Sequence, residues 1–168
     1  MRNSPERLKE LHRLLVLDSQ PERQFDEIAQ RLAAALEVPF VMVNFLAEDR
    51  DWFKASVGMP RCESSAQKSM CNIFFESEAD VVVVADTLTD ARFANHPFVT
   101  GEPKIRFYAA TRLVSNGQTV GTLCAYDTLP KTPTAEQRNT LITLTAAVAY
   151  LLSEGTNSSK QVETVASG

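Results

Sequence analysis

Any chemistry in this chain has to come from a short inventory. It has three cysteines, Cys62, Cys71 and Cys124, two histidines, His12 and His96, and a few charged and aromatic side chains close together in sequence. Cys71 follows Ser69 and Met70 at the start of a predicted short helix, where the helix dipole favours a thiolate. A small buried thiol without a reactive role is the simpler reading. Cys124 lies in an apolar run and reads as core, whereas Cys62 lies in a loop and reads as an exposed thiol. Three scattered cysteines and two histidines make neither a disulfide framework nor zinc-ligand spacing, so no metal and no cofactor is expected. His96 stands beside Pro97 with no acid or nucleophile in view, which argues against catalytic duty.

A second set of residues suits binding better than catalysis. The run Asp90-Ala91-Arg92-Phe93-Ala94-Asn95-His96-Pro97-Phe98-Val99 precedes Ile105-Arg106-Phe107-Tyr108. It reads as a polar loop crowded with aromatics, set between one strand and a hairpin of two more, and that is how a small pocket is walled. Asp86 and Asp90 could hold an amine or a cation, although a carboxylate in a turn after a strand more often caps backbone N–H groups. Arg106 and Arg112 have the same parity on one predicted strand and so share a face. Together they could grip a carboxylate or phosphate, the alternative being a solvated face or an ion pair with Asp127. Trp52, Phe93 and Tyr108 are candidate walls. The predicted ligand-binding set is Met70, Cys71, Asp86, Asp90, Phe93, Arg106, Tyr108 and Arg112, with an anionic ligand preferred.

The elements that position these residues follow from periodicity and punctuation. Ser4-Pro5-Glu6 starts a helix with Leu8, Leu11, Leu14 and Leu15 on one stripe. Ser19-Gln20-Pro21-Glu22 reads as a capping box opening a second helix, with Phe25, Ile28, Leu32 and Leu36 on one face. Phe40–Leu46 is a strand covered on both faces, Glu48-Asp49-Arg50-Asp51 a turn, and Trp52–Val57 the returning strand. Gly58 to Lys68 is a loop that could act as a lid. Ser69 caps a short helix through Phe75, and Val81–Val84 is a buried strand ending at Asp86, whose carboxylate caps the next turn. Ile105–Val114 pairs with Thr119–Tyr126 across Asn116-Gly117, which supplies the positive φ angles of a tight hairpin. Thr134-Ala135-Glu136-Gln137 is a capping box for a closing helix that ends at Gly155. The order predicts an α+β domain with mostly antiparallel strands between helices. Its bounds are 1–154, followed by a disordered tail over 155–168.

At 168 residues the chain is about one domain long, and 44% hydrophobic content is enough to bury a single core. A formal charge of −4 gives no basic field for nucleic acid or anionic lipid. No apolar run approaches the roughly 18 residues of a membrane span, and the N-terminus has no signal core, so a cytoplasmic protein is expected.

Landmarks in order carry a resemblance over Arg7 to Leu152. They are Trp52-Phe53, Ser69-Met70-Cys71, Asp86 and Asp90 around the aromatic loop, Phe107-Tyr108-Ala109 with Leu113, and Gly121-Thr122-Leu123-Cys124 with Asp127. The chain resembles the GAF domain, in the form found ahead of diguanylate cyclase, phosphodiesterase or histidine kinase modules in bacterial signalling proteins. The resemblance implies a PAS-like fold in which one face of an antiparallel sheet carries a small-molecule pocket under helices and loops. The terminal helices would pack on the other face and form a homodimer, with Leu8, Leu11, Leu15, Leu144, Val148 and Leu151 as its apolar contact. It further implies a signalling output protein as partner, and the sequence is expected to hold the sensory module alone. Where relatives often read Tyr-Ala-Gly-Ala-Pro-Leu, this chain has Tyr108-Ala109-Ala110-Thr111-Arg112-Leu113. Phe25-Asp26-Glu27 only compresses the pattern of cyclic-nucleotide binders. No cysteine precedes a histidine as in bilin binders, so light sensing is not expected. The function implied is a non-enzymatic sensory or regulatory domain for an unknown small molecule. Two alternatives are an interaction scaffold with a filled pocket, and a free methionine-sulfoxide reductase built on the same fold and using cysteine thiols.

Overall fold

The structure, a computed structural model, describes residues 1–60 and 63–167, with side chains described through Gly155. Six strands form one antiparallel sheet: β1 (Phe40–Leu46), β2 (Arg50–Val57), β3 (Glu63–Ser65), β4 (Val81–Val84), β5 (Phe107–Ser115) and β6 (Gln118–Asp127). Their spatial order is β3-β2-β1-β6-β5-β4. The helices are α1 (Pro5–Arg13), α2 (Arg23–Leu36), α3 (Ile73–Glu76), α4 (Pro97–Thr100) and α5 (Ala135–Ser167), with 3₁₀ turns at Ala66–Lys68, Met70–Asn72 and Thr87–Thr89. The α+β class is the one read from the sequence.

The sheet separates two apolar cores. Successive strand side chains point to opposite faces, so Val41, Val43 and Phe45 of β1 join the core under α1, α2 and α5, while Met42 and Leu46 join the other. That second core is closed by the 3₁₀ turns, α3, α4 and the loop around Phe93. The aromatic loop and the terminal helices thus lie on opposite faces. The β5–β6 hairpin turns through Asn116 and Gly117 at φ 47° and 75°, the left-handed pair that a two-residue hairpin turn needs.

Several local expectations change; α1 ends at Arg13, so Leu14 and Leu15 fall outside the helix and Leu15 is exposed. The Ser19–Glu22 capping box does not form: Glu22 is the N-cap of α2 and makes no side-chain cap bond. The reason is Lys54, only 1% exposed, whose ammonium must find acceptors. It donates to Ser19 Oγ at 2.7 Å and to the Gln20 carbonyl at 2.6 Å, and it pairs with the Glu22 carboxylate at 2.6 Å. The strand β4 is an edge strand with alternating burial rather than a fully buried one, because only β5 flanks it. The closing helix does not stop at Gly155; its backbone is helical to Ser167, through the segment expected as a disordered tail. A helix-ending glycine takes a positive φ, and among the described glycines only Gly58 and Gly117 do so. The α5 capping box does form, Gln137 N donating to Thr134 Oγ1 at 3.1 Å and Thr134 N to Gln137 Oε1 at 2.9 Å.

Register between β1 and β6 depends on one close approach. Gly121 lies opposite Phe45, and a Cβ built there would meet the Asn44 carbonyl oxygen at 2.2 Å, whereas one at Gly117 meets nothing within 4 Å. Gly121→Ala should therefore cost about 1–3 kcal/mol by forcing two central strands apart. Gly117→Ala should cost about 1 kcal/mol, from its left-handed φ alone. Urea denaturation of both variants checks the ranking, and an equal or smaller loss at Gly121 would contradict it.

Candidate ligand pocket

A cavity of about 130 Å³ opens on the face of the sheet opposite the terminal helices. Its floor is built by Met42 and Asn44 of β1, Asp51 and Phe53 of β2, and Tyr126 of β6. Met59, after β2, and Glu63 and Ser64 of β3 wall one side, so the stretch expected as a loop from Gly58 to Lys68 contains a strand. Ser69, Met70, Phe98, Pro103 and Ile105 complete it. The lining is mainly aromatic, aliphatic and thioether, with a few polar groups.

Those polar groups form one network. Asp51 is only 4% exposed, and its two oxygens have separate partners: Oδ1 accepts from Arg2 Nη2 at 2.6 Å and Oδ2 from Asn44 Nδ2 at 3.2 Å. An ionised carboxylate only accepts, so the amide of Asn44 must turn its nitrogen toward Asp51. Asn44 Oδ1 is then left buried with no hydrogen-bond partner among the described residues. Arg2 fixes the arrangement from outside. Its guanidinium also donates to the Ala47 carbonyl at 2.9 Å, to the Arg50 carbonyl at 3.0 Å and to Asn72 Oδ1 at 2.9 Å. The N-terminal segment thereby ties the β1–β2 turn to the Met70–Asn72 turn. Arg7 backs it, donating to the Arg2 carbonyl at 2.6 Å; burial first, then the positive charge of Arg2, pulls its pKa down to about 10.

Behind the cavity, Cys71 Sγ lies 3.2 Å from Tyr108 Oη, 3.1 Å from Thr122 Oγ1 and 3.7 Å from Asn44 Nδ2. Hydrogen bonding from Cys124, then from Thr122 and Tyr108, holds the Cys71 thiol below the usual cysteine range despite its burial. Burial, reinforced by Cys71, pushes Cys124 up. Both sulfurs are shut from solvent, at 1% and 0% exposure. Cys62 lies outside the described residues.

The predicted binding set divides. Met70 lines the cavity, and Cys71, Phe93 and Tyr108 are buried in the core around it, the last two rings 5.3 Å apart. Trp52 packs against the other core, on the helix face, and its neighbour Phe53 takes the pocket side. Asp86 and Asp90 are caps, accepting from Leu88 N at 3.0 Å and Arg92 N at 2.9 Å, and neither reaches the cavity. The two arginines are not a pair. Six residues along a strand separate them by about 20 Å, and each is occupied. Arg106 donates to the Val99 carbonyl at 2.9 Å; Arg112 donates to the carbonyls of Ser77 and Ala79 at 3.0 and 2.9 Å and lies over the Phe74 ring. The expected anion grip therefore fails. Asp127, the partner considered for the arginines, pairs with Lys131 instead.

Sequence reasoning missed Asn44 and Asp51. Asn44 is the one polar side chain in the run Phe40–Leu46, which was a legible signal, but Asp51 was hidden in a charged turn. His96 has a structural part that also went unread. Its Nδ1 accepts from Phe98 N at 3.0 Å, so it caps α4 and sets the backbone of Phe98, a cavity wall. Burial lowers its pKa and favours the neutral ring that this cap requires.

This architecture has a family. The GAF domain family model matches residues 20–152, and the chain belongs to that family. Over 123 residues it is 33% identical to a cyclic di-GMP phosphodiesterase of Pseudomonas aeruginosa, a match covering 73% of this chain and 21% of that protein, so the chain spans about a fifth of that relative's length. Among solved structures it superposes on the GAF domain of an Acinetobacter phosphoenolpyruvate-protein phosphotransferase, with TM-score 0.62, 19% identity, and 90% and 95% of the two chains covered. The PixJ GAF domain of Thermosynechococcus elongatus gives TM-score 0.65 at 14% identity over 98% and 96%. At such identities the superpositions show a shared fold.

Arg112 now has a structural task. Arg112→Ala should destabilise the protein by about 1–3 kcal/mol, by leaving the Ser77 and Ala79 carbonyls without their donor. Binding of small molecules in the cavity should stay unchanged. Thermal unfolding together with a binding titration checks both halves, and lost affinity at full stability would restore the anion grip.

Proposed function

We propose that this chain is a sensory or regulatory module, itself without catalytic activity, whose cavity takes a small molecule and relays its occupancy to an output domain or protein. The observation that carries this reading is the mainly apolar cavity over β1 and β2, on the face opposite the terminal helices. The similarity to a cyclic di-GMP phosphodiesterase supports an output of that kind. Cyclic di-GMP itself, with two guanosine units, is far too large for about 130 Å³, so the molecule sensed differs from that enzyme's substrate.

The relay would run through the terminal helices. Arg2, just ahead of α1, is bonded to the pocket residue Asp51, and α5 covers the far side of the sheet. A homodimer through these helices fits the reading, with altered contacts. Leu11, Leu144 and Val148 are used up inside the chain, while Leu15, Ile142 and Tyr150 are exposed. Among the described residues no helix is long and apolar enough to cross a membrane, and a cytoplasmic site of action fits that. Reductase chemistry fits less well, because a substrate has no open path to Cys71 or Cys124.

The methionines give a direct test. With 13C-methyl methionine labelling, a ligand in the cavity should shift the methyl signals of Met42, Met59 and Met70 and leave Met1, which is 91% exposed, unmoved. A fragment screen in which every binder moves other signals and spares these three would overturn the proposal.

A further inference from the structure

We infer that the ligand of this cavity is a compact uncharged molecule with an apolar body, the size of a single ring or a short branched chain. The inference rests on the proposal that the cavity is a ligand site and adds the chemical class of its occupant.

Size comes first. An apolar cavity of roughly 150 Å³ accepts benzene, so about 130 Å³ suits a ligand of roughly six or seven non-hydrogen atoms. Anything as large as a nucleotide is shut out.

The walls set its body. Three of the chain's four methionines, Met42, Met59 and Met70, line the cavity together with Phe53, Phe98 and Tyr126. Thioethers adapt to an irregular apolar shape and make favourable contacts with rings, and aromatic walls reward a flat or branched apolar skeleton. The Tyr126 hydroxyl is hydrogen-bonded with the core thiol of Cys124, so this residue adds a ring and not a free polar group.

Charge decides the class. The described lining includes two carboxylates, Asp51 and Glu63, and no Lys, Arg or His, so an anion meets like charge and no cation. Both carboxylates are already paired, Asp51 with Arg2 and Glu63 with Arg50, so a cation finds no free counter-charge. The other polar side chains of the lining are neutral. Ser69 Oγ accepts from Cys71 N at 3.2 Å, the Asn44 amide donates to Asp51, and Ser64 is a single hydroxyl on one wall. An ion entering here would shed water with nothing of opposite charge to replace it, whereas an uncharged apolar ligand gains by leaving water.

The test titrates the full, unaltered chain at neutral pH with toluene, isoamyl alcohol, isoamylammonium and isovalerate. The alcohol and the two ions share one branched skeleton and differ in charge. The methyl signals of Met42, Met59 and Met70 report entry into the cavity. The uncharged probes should shift them, and each ion should bind at least about tenfold more weakly than the tighter uncharged probe. If either ion binds more tightly than that limit, the inference is overturned while the ligand site stands. If no probe disturbs these three methyls up to its solubility, the ligand site itself falls and this inference with it.

Discussion

Asp51 is a carboxylate taken almost wholly out of water, and a buried charge is tolerated only where its lone pairs are met by well-placed donors. Two residues far from each other in sequence meet them. Arg2 arrives from the N-terminus and Asn44 from the neighbouring strand, so one side chain of β2 organises three segments. Because Arg2 also bonds the β1–β2 turn and Asn72, this interaction closes one end of the pocket. It also fixes the sense of the Asn44 amide in the cavity floor.

The sheet makes that local arrangement useful. Alternation along β1 sends Val41, Val43 and Phe45 to the helices and Met42, Asn44 and Leu46 to the pocket, so a single strand belongs to both layers. The tight approach of Gly121 to the Asn44 backbone keeps that strand in register with β6. The cavity floor lies one strand away from α1, α2 and α5, and one ion pair away from the N-terminal segment. Such proximity suits a domain whose binding must be felt by neighbours, without any long path of side-chain rearrangements.

Much of the fold was legible because its determinants are local. The Asn116-Gly117 turn, the Thr134 capping box, the Asp86 and Asp90 caps and the burial of Phe40–Leu46 on both faces each need only a few adjacent residues to be read, and each is in place. The failures share a different cause. The Ser19 capping box lost its residues to Lys54, which lies 35 positions away from Ser19 in sequence, and no local pattern shows that demand. Arg106 and Arg112 have the right parity for a shared face, but parity says nothing of distance along the strand or of the carbonyls that claim each guanidinium. The cavity lies on the face of the aromatic loop, and Met70 is part of its lining. Its polar floor stayed hidden because Asn44 and Asp51 acquire meaning only once Arg2, 49 positions from Asp51, is seen beside them.

The central claim is that Arg2 and Asp51 act as one unit on which the pocket floor depends. A double-mutant cycle with Arg2→Met, Asp51→Asn and the combined variant, read as unfolding free energy in urea, measures that directly. The account predicts that each single change is strongly destabilising and that the double change costs less than their sum by about 1–3 kcal/mol, since removing both partners leaves no stranded charge. Losses that add to within about 0.5 kcal/mol would contradict it.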